Sequence, residues 1–117
     1  MNTVIKNGNN IDFGVDCGTT WKINMNWTED DGTPIDINGY IGRMYLKRNY
    51  NTPTAFEITT TNGRMTLGTG TISWVVTDED TRDLSGSYIY DIELESFNGE
   101  VTRLYQGSVN MSPEVTR

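Results

Sequence analysis

The sequence predicts an all-β domain: a two-sheet antiparallel, immunoglobulin-like sandwich of seven to nine strands, with one short helix near residues 78–84. Three observations lead there. Apolar residues recur at every second position in nearly every segment, which is the period of a half-buried strand. The composition holds a single Ala, Ala55, against 17 Thr, 12 Asn and 12 Gly. Helices favour Ala, Leu, Glu and Lys, whereas Thr, Ile, Val and aromatics suit a pleated surface. Turn signals come about every 8–12 residues, the spacing of a sandwich. At 117 residues the chain has the length of one domain, able to bury roughly two-thirds of its unfolded surface. A closed barrel is the competing architecture.

Each element has its own justification. Residues 1–10 lack a stable alternation and read as an N-terminal arm, able to dock by adding a strand to a neighbour. The domain proper is expected over 11–117. Ile11, Phe13 and Val15 alternate, and Asp16–Thr19 supplies a turn. From Thr20 to Trp27 the set Trp21, Ile23, Met25, Trp27 alternates without a break with Thr20, Lys22, Asn24, Asn26. Glu29–Gly32 is a strong turn and Pro34 starts an extended segment. After Gly39, one face carries Gly42, Met44 and Leu46, and the other Ile41, Arg43, Tyr45 and Lys47.

Asn49–Thr54 reads as a loop, followed by a short strand with Phe56 and Ile58 on one face. Asn62-Gly63 predicts a tight hairpin into Met65 and Leu67. Gly68–Gly70 turns into Thr71–Val76, where Ile72, Trp74 and Val76 share a face. Thr77 to Leu84 is the helical candidate, with Thr77 as N-cap and Asp78, Glu79 and Asp80 favoured by the helix dipole. Tyr88, Tyr90, Ile92 and Leu94 then line one face of a long strand. In the last hairpin, a three-residue Phe97-Asn98-Gly99 loop sets Ile92 opposite Leu104 and Glu93 opposite Arg103, an apolar pair and an ion pair on opposite faces. Inward parity changes before Val109 and Met111, and Gly107 is the expected bulge.

Composition excludes several kinds of chemistry. With no His, His-based triads, His-metal sites and pH sensing near neutrality are absent. A net charge of −7 gives no electrostatic footprint for nucleic acid. Cys17 is the sole cysteine, so it forms no intramolecular disulfide, and without His it has no base to activate it as a nucleophile. No apolar run reaches the roughly 18 residues of a membrane span. The sequons at Asn26 and Asn110 are expected to be chance matches in an Asn- and Thr-rich chain. Asp78, Glu79, Asp80 and Asp83 fit a solvated helix start better than a calcium loop, because no Gly lies among them. The Gly63–Gly70 stretch has no Lys-Ser/Thr sequel to cradle a phosphate.

No catalytic residue, cofactor or metal site is therefore expected. Trp21, Trp27 and Trp74 are expected in the core; three exposed indoles would instead make a sugar-stacking platform. The candidate functional residues are outward-facing: Ile41, Arg43, Tyr45, Ile89 and Tyr105 form a candidate protein interface, since solvated faces are ordinarily polar.

Three stretches carry a resemblance. They are Trp21-Lys22-Ile23-Asn24-Met25-Asn26-Trp27, the segment Gly32-Thr33-Pro34-Ile35-Asp36-Ile37-Asn38-Gly39-Tyr40, and Gly86-Ser87-Tyr88-Ile89-Tyr90-Asp91-Ile92-Glu93-Leu94 with Val101–Gly107 and the terminal Val115-Thr116-Arg117. In this order the chain resembles small tailed-phage and prophage virion proteins, and through them the N-terminal domain of the phage baseplate upper protein. The likeness covers about residues 11–117 and consists of turn-plus-strand signatures without a chemical motif. It implies a non-enzymatic virion component made in the host cytoplasm and present in several copies of a symmetric assembly. Its partners would be other virion proteins at a tail or baseplate, with no contact to nucleic acid or membrane. A capsid decoration or fibre-anchoring protein is one alternative, and a carbohydrate-binding module for host surface glycans is another.

Overall fold

The computed structural model describes residues 2–113. In chain order the elements are β1 (Thr3–Asn7), β2 (Asn10–Asp16), β3 (Trp21–Asn26), β4 (Ile41–Lys47), β5 (Phe56–Thr59), β6 (Met65–Leu67), β7 (Thr71–Val76), α1 (Asp78–Arg82), β8 (Gly86–Glu95) and β9 (Val101–Ser112). Two sheets form, a six-stranded one in the order β1-β2-β9-β8-β4-β5 and a three-stranded one in the order β3-β7-β6. The smaller sheet corresponds to strands B, E and D of an immunoglobulin domain, and β9-β8-β4-β5 to G, F, C and C′. All pairs are antiparallel except β2 with β9, which run parallel.

Strict alternation places the core where period-two reading puts it. Ile11, Phe13, Val15, Met44, Leu46, Ile72, Trp74, Val76 and the inward side chains of β8 are all buried between the layers. At the centre, Phe13, Trp21 and Trp74 meet edge to face with ring centroids 5.5–5.6 Å apart, the arrangement aromatic quadrupoles prefer. Further along β3 the burial fades. Ile23, Met25 and Trp27 are only half-buried, because β3 is the last strand of its sheet.

The short helix has its expected start: the Asp80 N–H donates to Thr77 Oγ1, the N-cap bond. It spans only Asp78–Arg82 and is tied down by Thr81, whose hydroxyl donates to the Thr19 carbonyl at 2.7 Å and accepts from the Gly18 N–H at 3.1 Å. At the start of β8, Tyr88 Oη accepts from the Ser85 N–H, the tyrosine corner of such sandwiches. Cys17 is buried, its thiol donating to the Leu84 carbonyl at 2.9 Å.

Three expectations are corrected. First, the segment read as an arm over residues 1–10 folds from Thr3 to Asn7 as β1, in a hairpin with β2. All its residues are exposed, so it has no apolar alternation to announce it. Second, Asn62-Gly63 does not close a hairpin. β5 pairs with β4, and β6 with β7, so this turn carries the chain from one sheet to the other. Asn62 Oδ1 holds it by accepting from the Thr59 and Arg64 N–H groups.

Third, the bulge in β9 lies at Leu104, not Gly107. Tyr105 sits opposite Ile92 and Arg103 opposite Glu93, so Leu104 and Tyr105 in succession both face inward. Gly107 serves a different purpose. A Cβ there would strike the Ile11 carbonyl oxygen of β2, so glycine lets the parallel strands approach. At this approach the Tyr90 hydroxyl donates to the Ile11 carbonyl at 2.6 Å. Asp12 Oδ1 accepts from the Ser108 N–H and hydroxyl, each at 3.0 Å.

Candidate interaction surface

The outer face of the six-stranded sheet is built by the residues that alternate with the core. On β4 these are Ile41, Arg43, Tyr45 and Lys47, which lie opposite Glu95, Glu93, Asp91 and Ile89 of β8. Their register makes oppositely charged neighbours: Arg43 Nη1 is 3.1 Å from Glu95 Oε1, and its Nη2 is 3.6 Å from Glu93 Oε1. The hydrogen bond to Glu95, with the charges of both carboxylates, holds the guanidinium pKa above its ordinary value. On the next strand Arg103 Nε lies 3.4 Å from Asp91 Oδ2, a diagonal pairing in place of the one expected with the directly opposite Glu93. Such partly exposed pairs contribute about 1 kcal/mol or less each; their effect is to fix the side chains.

Across this face runs a groove of about 540 Å³. Tyr45, Ile89 and Tyr50 supply its apolar surface, and Asp91, Arg103 and Gln106 its polar surface. Tyr50, in the loop after β4, is 86% exposed. At the end of the sheet beyond Arg43, Ile41 and Val101 flank Glu95 in the same row. Beside them Phe97, 81% exposed, stacks its edge on Tyr40 with centroids 5.7 Å apart.

Of the five residues expected at an interface, the structure brings four to this face. Ile41 and Tyr45 are exposed, and Arg43 and Ile89 are half-buried. Tyr45 and Ile89 line the groove. Tyr105 is a correction: it is 8% exposed because the bulge at Leu104 turns it inward, where Lys6 Nζ sits 5.5 Å from its ring centroid. Tyr50, Phe97 and Val101 were not singled out from the sequence. Tyr50 and Phe97 lie in turns, where parity carries no information; Val101 stands opposite Glu95 in the expected hairpin register and was readable as outward from it.

Trp21 and Trp74 are fully buried, which removes them as a sugar-stacking platform; Trp27 is half-buried against the core. The phenol of Tyr90 is pushed above its usual pKa, first by burial and then by the charge of Asp12. Among the described residues no three His, Cys, Asp or Glu side chains gather as a metal site would require. No helix among them is long and apolar enough to cross a membrane. In comparisons with known proteins, no family model matches the chain and no curated protein matches it significantly.

Proposed function

We propose that the chain is a non-enzymatic structural component of a tailed-phage particle, placed at the tail or baseplate, which docks other virion proteins on the outer face of its larger sheet. The observation that carries the docking reading is the gathering of Ile41, Tyr45, Tyr50 and Ile89 on one solvent-facing surface, interleaved with charged side chains already fixed in ion pairs. Exposed aromatic and aliphatic groups among ordered polar ones are what protein interfaces use. The tailed-phage assignment rests on the resemblance of the turn-and-strand stretches from Trp21 to Gly107. Repetition at symmetric positions would let many modest contacts add.

Particles purified by density gradient from cells expressing the chain test this. The chain is expected to band with tailed particles at a fixed copy number, and gold-labelled antibody is expected at the tail end. A Tyr45→Asp, Ile89→Asp variant is expected to fold but drop out of the particles. Absence of the wild-type chain from particles defeats the virion assignment. Incorporation of the double variant at the wild-type level defeats the outer face as docking surface. Label on the capsid would replace the tail position with that of a head decoration protein.

A further inference from the structure

The three-stranded sheet ends on β3, which among the described residues pairs only with β7. The Trp27 N–H donates to the Gly70 carbonyl at 2.8 Å, and this fixes the parity of the strand. Residues 21, 23 and 25 turn their backbone groups toward β7, so Lys22, Asn24 and Asn26 turn their N–H and C=O groups to the open edge. Natural edges are blunted by Pro, bulges, repeated charges or shortness. Of the other three edges, β5 and β6 are short, at 4 and 3 residues, and β1, at 5 residues, is exposed throughout, so a strand added there would cover no half-buried side chain of its own. β3 has 6 residues in regular register and one charge, Lys22.

Beside this edge the mouth of the sandwich is open. A groove of about 200 Å³ lies between the layers, lined by apolar Val4, Ile11, Phe13, Ile23 and Met25 and by Tyr105, together with Lys6, Asn24 and Asn26. The half-buried inward side chains of β3 therefore border largely apolar space that an added strand would cover.

We propose that the occupant is β3 of a second copy of this chain, running antiparallel about a twofold axis at Asn24. In that register Asn24 faces Asn24 of the partner subunit, and Lys22 faces Asn26 of the partner subunit. Every outward N–H and C=O of Lys22, Asn24 and Asn26 then gains a ladder bond. Ile23 meets Met25 of the partner subunit over the groove, an apolar pair on the buried face. The sequence Lys22-Ile23-Asn24-Met25-Asn26 thus opposes itself without a like-charge contact, as a twofold interface requires. An axis at Lys22 would set lysine against lysine, and one at Asn26 would leave Lys22 outside the ladder. The result is one continuous sheet shared by two copies. It lies in the other sheet from the outer-face groove and does not depend on the virion assignment.

Sedimentation velocity on the full chain across micromolar to sub-millimolar concentration tests the pairing. The expected species has twice the 13.2 kDa protomer mass. Asn24→Pro, which removes an edge N–H without touching the β7 ladder, is expected to give a monomer with unchanged circular dichroism. Asn26→Lys places like charges opposite each other and should weaken the dimer by about tenfold at low salt. Adding Lys22→Glu to Asn26→Lys should restore it, a rescue specific to this register. A wild-type monomer throughout, or a dimer indifferent to Asn26→Lys, overturns the proposal. If Asn24→Pro fails to fold, the charge-swap pair decides alone.

Discussion

Replacing Trp74 by Ala tests the assignment of the core most directly. The side chain is 1% exposed and stands edge-on to Phe13 and Trp21 at 5.6 Å from each. Truncating a buried Trp costs about 3–5 kcal/mol, including the cavity, against a total stability of about 5–15 kcal/mol for such a domain. One effect runs the other way. Trp74 Nε1 is buried with no hydrogen-bond acceptor among the described residues, and removing an unsatisfied donor returns about 1 kcal/mol or more. The net expectation is a loss of about 3 kcal/mol for Trp74→Ala, and only about 1 kcal/mol for Trp74→Phe, which keeps a ring and discards the orphaned N–H. Urea unfolding followed by far-ultraviolet circular dichroism reads this out. With a slope near 1.5 kcal/mol/M, the Ala variant should unfold about 2 M earlier than wild type. A midpoint within about 0.3 M of wild type would refute the claim that the indoles cement the two layers.

Two further outcomes are expected. Gly107→Ala should cost about 2–4 kcal/mol, because the new methyl meets the Ile11 carbonyl; hydrogen exchange should show β2 deprotected before β4 and β8, and an unchanged melting temperature would contradict the close approach. Tyr90→Phe leaves the Ile11 carbonyl without its 2.6 Å donor and should cost about 1–3 kcal/mol at neutral pH. The Tyr90 phenol has its folded-state pKa raised above the ordinary 10.0. Its contribution is therefore full below pH 10 and lost as the pH climbs beyond it, because the unfolded chain ionises first. Denaturation midpoints at pH 8 and pH 11 should fall more steeply for wild type than for Tyr90→Phe, and parallel curves would refute this.

The layered β-architecture was legible because its cause is local. Alternation in β3, β4, β7 and β8 follows from one residue to the next, and Thr77 announces the helix start by its own side chain. What escaped was set at a distance. Leu104 and Tyr105 are adjacent and both apolar, so either parity accommodates them, and only the pairing with β8 locates the bulge. Gly107 looked like a bulge residue, yet it is glycine because Ile11, far away in sequence, presses on it. Asn62-Gly63 carries hairpin chemistry, but the neighbours of β5 and β6 in different sheets decide where the turn leads. Of the candidate surface, Tyr45 and Ile89 could be read from parity. Tyr50 could not, because its place in the groove depends on how a loop folds back over a sheet.

The parallel register of β2 with β9 also governs how the domain would bear a load. Thr3 lies beside Gly14, and Ser112 beside Asp16, so the start of β1 and the end of β9 emerge at the same end of the sheet. Tension between those points would first peel β1 away rung by rung, at low force. Once the slack reached Asn10, β2 and β9 would be dragged lengthwise past each other, with all their rungs strained together. The hairpin is thus a soft extension in series with a stiff clamp.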